Sequence, residues 1–341
     1  MRQDEYFDAL ETMTPEARMA YQRQNLAQAL RRSYDASVAG REIFDKAGLK
    51  PDDINTAADL AALPVTRKND IIEMEKKRPF GGWLTVPPAE VDRVFITPGP
   101  IYEPLHTESI PWFARAFWAA GFRKGDVAVD TFSYHLSPGG LLFHEAIRQC
   151  GATAVPVGVG NTEILIRTMH DIKVTAFVGT PSYLLSVIKK AEEMGHDWNK
   201  DFMVRRAWFT GEMLTPSIRQ TLENDYNIDT YQAYAVSEVG GALAYECSHK
   251  NGLHLMDEYI IEIVDPDTGR PLDAGGSGEV VVTPIANPTW GLFRFDVPTV
   301  RYHLNKARRL TGTATLAEAV AAVMARERTG EGGIEEEAAA E

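Results

Sequence analysis

The sequence predicts an α/β protein, a mostly parallel sheet covered by helices with a small β-rich subdomain after it. Three observations carry that prediction. Between residues 110 and 209, helix-patterned stretches alternate with short β-prone runs that are apolar on both sides, as strands buried on both faces require. The loops between them are rich in Gly, Ser, Thr and Pro. Beyond Tyr259 the spacing changes to short strands broken by turn residues such as Asp265-Pro266-Asp267-Thr268-Gly269, which is hairpin grammar.

Taken in order, residues 5–50 alternate charge with Leu10, Met13, Met19, Leu26, Leu30 and Ile43, which predicts two or three amphipathic helices packed on something larger. Pro51-Asp52-Asp53 and Leu63-Pro64-Val65-Thr66 read as turns or caps, so residues 1–90 form a helical region expected to act as a lid or interface and to hold no site. A core with ligand loops spans 91–258. Its predicted helices lie at 110–120, 140–149, 163–171 and 184–194, and its strands at 127–130, 152–156, 174–178 and 204–209. Ligands on such sheets sit beyond the carboxyl ends of the strands, at 131–140, 158–162, 180–183 and 210–214 here. Residues 259–305 form the β-rich subdomain, and 306–341 read as a helical or disordered tail, mostly Gly, Glu and Ala at its end.

With 35 basic against 48 acidic side chains the formal charge is -13, which argues against nucleic-acid or anionic-membrane partners. The polar start Met-Arg-Gln-Asp-Glu-Tyr and the lack of a long apolar run predict a cytoplasmic protein. Cys150 and Cys247 are too few for a disulfide framework.

The most informative stretch is 231–258. Tyr234, Ser237 and Glu238 precede Gly240 and Gly241, so an aromatic, a hydroxyl and a carboxylate meet a tight turn. Such a stretch can stack a flat ring and hold a cation; the plainer alternative is a strand end with a solvated Glu. Cys247, His249 and His254 have a Cys-x-His-x4-His spacing, with His135 on a loop the fold could bring near, which raises a structural zinc against the alternative of a buried thiol and hydrogen-bonded histidines. The run Arg93-Val94-Phe95-Ile96 leads into Thr97-Pro98-Gly99-Pro100-Ile101-Tyr102-Glu103-Pro104. A strand followed by such a loop is where many proteins cradle phosphate, but three prolines lack donors and Glu103 carries the wrong charge.

The order of these loops resembles the phenylacetate-coenzyme A ligase branch of the adenylate-forming enzymes. The resemblance spans about residues 8–300 and is carried by Phe132 to Gly140, Gly160-Asn161-Thr162-Glu163, Thr180-Pro181-Ser182-Tyr183, Gly211-Glu212, Tyr234 to Val239, Glu246-Cys247, Asn251-Gly252-Leu253-His254 and Gly278 to Thr283. It implies activation of an aryl or arylacetic acid by ATP to an acyl-adenylate, then transfer to coenzyme A. Carried over by position, it implies that Tyr234 stacks on adenine, that Gly211, Glu212 and Ser237 bind the nucleotide, and that Glu238 holds magnesium. Tyr134, His135, Pro138, Gly139 and Gly140 would border the acid pocket, and Glu238 and Arg294 would be catalytic.

The sequence also departs from that family. Glu103 stands where the family has a lysine, a reversal costing on the order of several kcal/mol beside a triphosphate. Arg294-Phe295-Asp296-Val297-Pro298-Thr299 replaces a run ending in the ribose-binding aspartate, and only about forty residues follow Arg301, with Lys306 their sole lysine. The family's mobile carboxy-terminal domain is therefore expected to be missing. Two functions follow as expectations: aryl-CoA ligase chemistry with impaired adenylation or a partner supplying the missing domain, or a ligase-like module that binds an aryl acid, an acyl-CoA or a protein without ATP. The helical first fifty residues would suit a homodimer contact.

Overall fold

The computed structural model of the chain describes residues 6–97, 101–105, 110–273 and 276–297. The expected tail, with Lys306, and the loop residues Pro98, Gly99 and Pro100 lie outside the described residues. Helices α1 (Pro15–Ala36), α2 (Val38–Ala47) and α3 (Lys68–Glu75) open the chain. Thr14 and Ser37 cap the first two by accepting from Ala17 and Gly40 N–H, and Gly48 ends α2 in the left-handed conformation. A hairpin of β1 (Arg93–Ile96) and β2 (Tyr102–Leu105) follows, then α4 (Ile110–Ala119).

The core alternates as the pattern predicts: β3 (Val127–Asp130), α5 (Pro138–Gln149), β4 (Thr153–Pro156), α6 (Thr162–Asp171), β5 (Ala176–Gly179), α7 (Pro181–Glu193), α8 (Trp198–Asp201), β6 (Arg206–Phe209), α9 (Pro216–Gln220) and β7 (Asp229–Val236). With β8 (Gly241–Tyr245) and β9 (His254–Leu255), these strands form a sheet of order β4-β3-β5-β6-β7-β8-β9, parallel through β7 and antiparallel after it. Alternation within each strand explains the two layers of helices. Ala128, Val178 and Trp208 face one side, where Phe117 stacks 4.3 Å from Trp208; Val129, Phe177 and Phe209 face the other, under Leu165, Ile166, Leu184 and Ile188. Strand β3 sends its chain one way to β4, whereas β5 sends its chain the other way to β6, so a crevice opens at the strands' carboxyl ends.

The β-rich subdomain is the antiparallel sheet β10 (Tyr259–Val264), β11 (Glu279–Pro284) and β12 (Phe295–Asp296). The amino-terminal helices close against it: Ser33 Oγ donates to Gly291 O at 2.7 Å, Phe44 packs 5.5 Å from Phe293, and Thr66 bridges Phe295 in parallel. Among the described residues no helix is long and apolar enough to cross a membrane.

Arg294 shows what holds this joint. Its side chain is 1% exposed, donates to both oxygens of Glu262 at 3.0 Å and to the carbonyls of Leu63 and Gly269, and its backbone sits at φ 45°. The resemblance implied a catalytic role, but every named partner of this guanidinium is structural and it does not line the cleft described below. Removing one partner of a buried pair leaves an uncompensated charge. Arg294→Leu should therefore lose about 3–5 kcal/mol in urea unfolding, and Arg294→Met with Glu262→Leu should regain most of it.

Candidate functional site

A cleft of about 240 Å³ opens where β1–β2 meets the ends of β3, β6 and β7. Phe95, Leu105, Phe113, Phe132, Leu142 and Phe143 give it an apolar, aromatic wall, and Ser137, Pro138, Gly139, Thr210, Gly211 and Ser237 line its strand-end side. Pro138 and Gly139 are the first residues of α5, so that helix presents its positive end here. Gly211 takes φ 83°, which lets the chain turn directly off β6. Of the residues expected from sequence, the fold thus brings Pro138, Gly139, Gly211 and Ser237 together.

A polar corner built from distant segments adjoins the cleft. Glu103 and Ser237 line the cleft itself, whereas the predicted Tyr234 and Glu238, with Asp296, Arg67 and Lys68, lie beside it. Glu103 lies opposite Phe95 in the hairpin register, is 5% exposed, and has an Oε1 with no hydrogen-bond partner. Burial first, then the neighbouring Glu238, holds its carboxyl well above the usual carboxylate range, opposed by the Ser237 hydroxyl and Lys68. Glu238, itself buried, accepts from Lys68 Nζ at 2.5 Å. Beside it, the buried Tyr234 Oη is also without a partner, and burial pushes that phenol up to about 12. Asp296 pairs with Arg67 at 2.8 Å through one oxygen and leaves Oδ1 unpartnered, while Arg67 also binds Glu279. Buried polar atoms without partners are uncommon in folded proteins. Three of them surround this corner.

Lys68 and Arg67 come from the region expected to hold no site, yet they reach this corner through Glu238 and Asp296. Their signal was faint: two adjacent bases at the start of α3, with Asp70 their nearby acid in sequence. Other expected residues stand apart. Glu212 is exposed and accepts from Ser182 Oγ at 2.9 Å. His135 is exposed, and Gly140 is needed because a Cβ there would lie 2.6 Å from Ser133 O. Tyr134 does not line the cleft; its hydroxyl donates to Asp130 at 3.0 Å, with His144 Nδ1 at 3.4 Å. The zinc expectation is not supported. Among the described residues no three His, Cys, Asp or Glu converge on a metal position; His249 and His254 are exposed, and His254 packs against Tyr245 at 5.5 Å.

A family model described as AMP-binding enzyme matches residues 106–286. The phenylacetate-coenzyme A ligase of Pseudomonas putida is 32% identical over 319 residues, covering 90% of this chain and 70% of that protein. The Escherichia coli K12 enzyme of the same name is 30% identical over 320 residues, with the same coverage of 90% and 70%. Among solved structures, 2-hydroxyisobutyryl-CoA ligase in an open conformation superposes with a TM-score of 0.78 at 23% identity, over 84% of this chain and 70% of that one, a likeness of fold.

Asp130, at the end of β3 beneath the cleft loop, offers a test of this geometry. It is fully buried, accepts from Phe132 N–H and Tyr134 Oη at 3.0 Å, and burial pushes it up to about 8. A carboxyl raised in the folded state gives stability that is complete below its ordinary value of about 4 and is lost as pH rises toward 8. The melting temperature of Asp130→Asn relative to the parent should rise between those two pH values; a difference that stays flat would contradict it.

Proposed function

The chain belongs to the AMP-binding enzymes, in their phenylacetate-coenzyme A ligase branch, and from that premise we propose that it activates an aryl or arylacetic acid with ATP and passes the acyl group to coenzyme A. The observation that carries the reading is the juxtaposition of an aromatic cleft with a corner of unpartnered Glu103, Tyr234 and Asp296 oxygens. The acid's ring would lie among Phe95, Phe113, Phe132 and Phe143, its carboxylate toward the α5 amino end. Positioning of this kind supplies much of the rate when two anions must meet, because the encounter entropy is met on binding.

The donor set suits magnesium in part. Glu238 would hold it, with the unpartnered Asp296 oxygen near Tyr234 as further oxygen chemistry, and Mg²⁺ when bound neutralises phosphate oxygen charge. Lys68 holds Glu238 in the free protein and is the cation nearest the place where the family's loop lysine is replaced by Glu103. We infer that Lys68 moves from Glu238 toward nucleotide oxygens, and that the acid at 103 leaves ATP affinity weaker than a loop lysine would. A second reading, a module that binds an aryl acid or acyl-CoA without ATP, is favoured by the same Lys68–Glu238 pair, which occupies the metal carboxylate.

Isothermal titration of Mg-ATP, followed by AMP release with phenylacetate and coenzyme A, separates the two. Ligase chemistry predicts AMP release that falls about 100-fold or more in Glu238→Gln and in Lys68→Ala. Aryl-acid binding with neither ATP binding nor AMP release would leave the module reading standing.

A further inference from the structure

We propose that Tyr134 is a positioning residue of the aryl site: from outside the cleft, its hydroxyl, held by the buried Asp130, fixes the place of Phe132 in the aromatic wall. This rests on the ligase reading above and deepens it by naming what holds the aryl site in shape. The bonds argue for it first. Asp130 ends β3 fully buried and takes two donors, the Phe132 N–H through one carboxyl oxygen and the Tyr134 hydroxyl through the other, both at 3.0 Å. One carboxyl group thus fixes the backbone at Phe132 and the side chain two residues later. Between them lies Ser133, whose carbonyl accepts from Gly140 N–H at 3.1 Å and ties the loop to the first turn of α5.

Space and strain argue next. The Tyr134 ring occupies a slot between α5 and the chain leaving β4: a Cβ would lie 2.7 Å from its Cδ2 at Gly140 and 3.4 Å from it at Gly158. Glycine at both positions is what admits the ring. Leu136, two residues further on, holds φ 56° although it carries a side chain and is 64% exposed. Such a backbone persists only when its surroundings over-determine it. Here Asp130 holds one side of the loop, and Leu136 O, accepting from Ile96 N–H at 2.7 Å, holds the other. The cleft face of the loop depends on that grip. A Cβ added at Gly139 would lie 3.3 Å from Phe132 Cβ and one at Gly211 3.8 Å from its Cε1, and the ring packs 4.9 Å from Phe143. Contacts so close are lost with small displacements. Tyr134 itself lines none of the cleft, so its influence on an aryl acid passes through Phe132.

Titration calorimetry of phenylacetate into the full chain tests this, at a temperature where each variant is folded and with its melting temperature recorded. Tyr134→Phe, which keeps the ring and removes the hydroxyl, should bind about 5-fold or more weakly than the parent. On a Phe132→Leu background the same change should cost less than about 2-fold, because the ring it positions is gone. Asp130→Ala should lose at least as much as Tyr134→Phe, and combining the two should cost nothing further, since Tyr134 acts through that carboxyl. If Asp130→Ala does not fold, the Phe132 comparison decides by itself. Parent-like binding by Tyr134→Phe would overturn this assignment and leave the ligase reading standing. So would an equal loss with and without Phe132, the mark of a general loosening of the protein. A parent that binds no aryl acid would overturn the ligase reading and this one with it.

Discussion

Burial of the parallel sheet on both faces governs everything else in this structure. Strand residues such as Ala128, Val129, Ala176, Phe177, Ala207 and Trp208 are fully enclosed, so no polar side chain can be placed along the strands without a partner. Polar groups are driven to the strand ends, and there Asp130, Thr131, Thr210 and Ser237 gather. The cleft opens at that edge because the strand order reverses direction beside β3. Its aromatic wall continues the core: Phe143 touches Trp208 at 5.1 Å on one side and Phe132 at 4.9 Å on the other.

Much of this was legible in the sequence, for a physical reason. Elements set by local periodicity, β3 to β6 and the helices between them, fall within a few residues of expectation because burial on both faces leaves a continuous apolar run. The loops after them were legible as well, so Pro138, Gly139, Gly211 and Ser237 meet in the cleft. What sequence could not convey is where a side chain points once packing is complete. Tyr134 turns down to Asp130, and Arg294 is consumed by Glu262. His249 and His254 have metal-like spacing along the chain but remain exposed, since spacing says nothing of convergence between segments.

The polar corner is the clearest case. Glu103 alone reads as a reversal of charge at a phosphate loop. In three dimensions the corner still holds a cation, delivered by Lys68 from a helix that carries no site residue expected from the sequence. The sign of charge at a site is a property of the assembled groups, and a position-by-position comparison along one loop misses a contribution arriving from elsewhere. Burial, and after it the neighbouring Glu238, also holds the Glu103 carboxyl well above the usual carboxylate range.

The joint between the helical region and the β-rich sheet bears on how the protein is made. Lys68 meets Glu238 across 170 residues, and Arg67 meets Glu279 across 212. Closing loops of that length is entropically slow, and folds dominated by such distant pairings form late. A nascent chain emerging from the ribosome can complete the strand-helix repeats from β3 to β6 as they appear. The corner holding Lys68, Glu238 and Asp296 must wait until β12 has been synthesised, so these groups meet only after the strand-helix repeats are already in place.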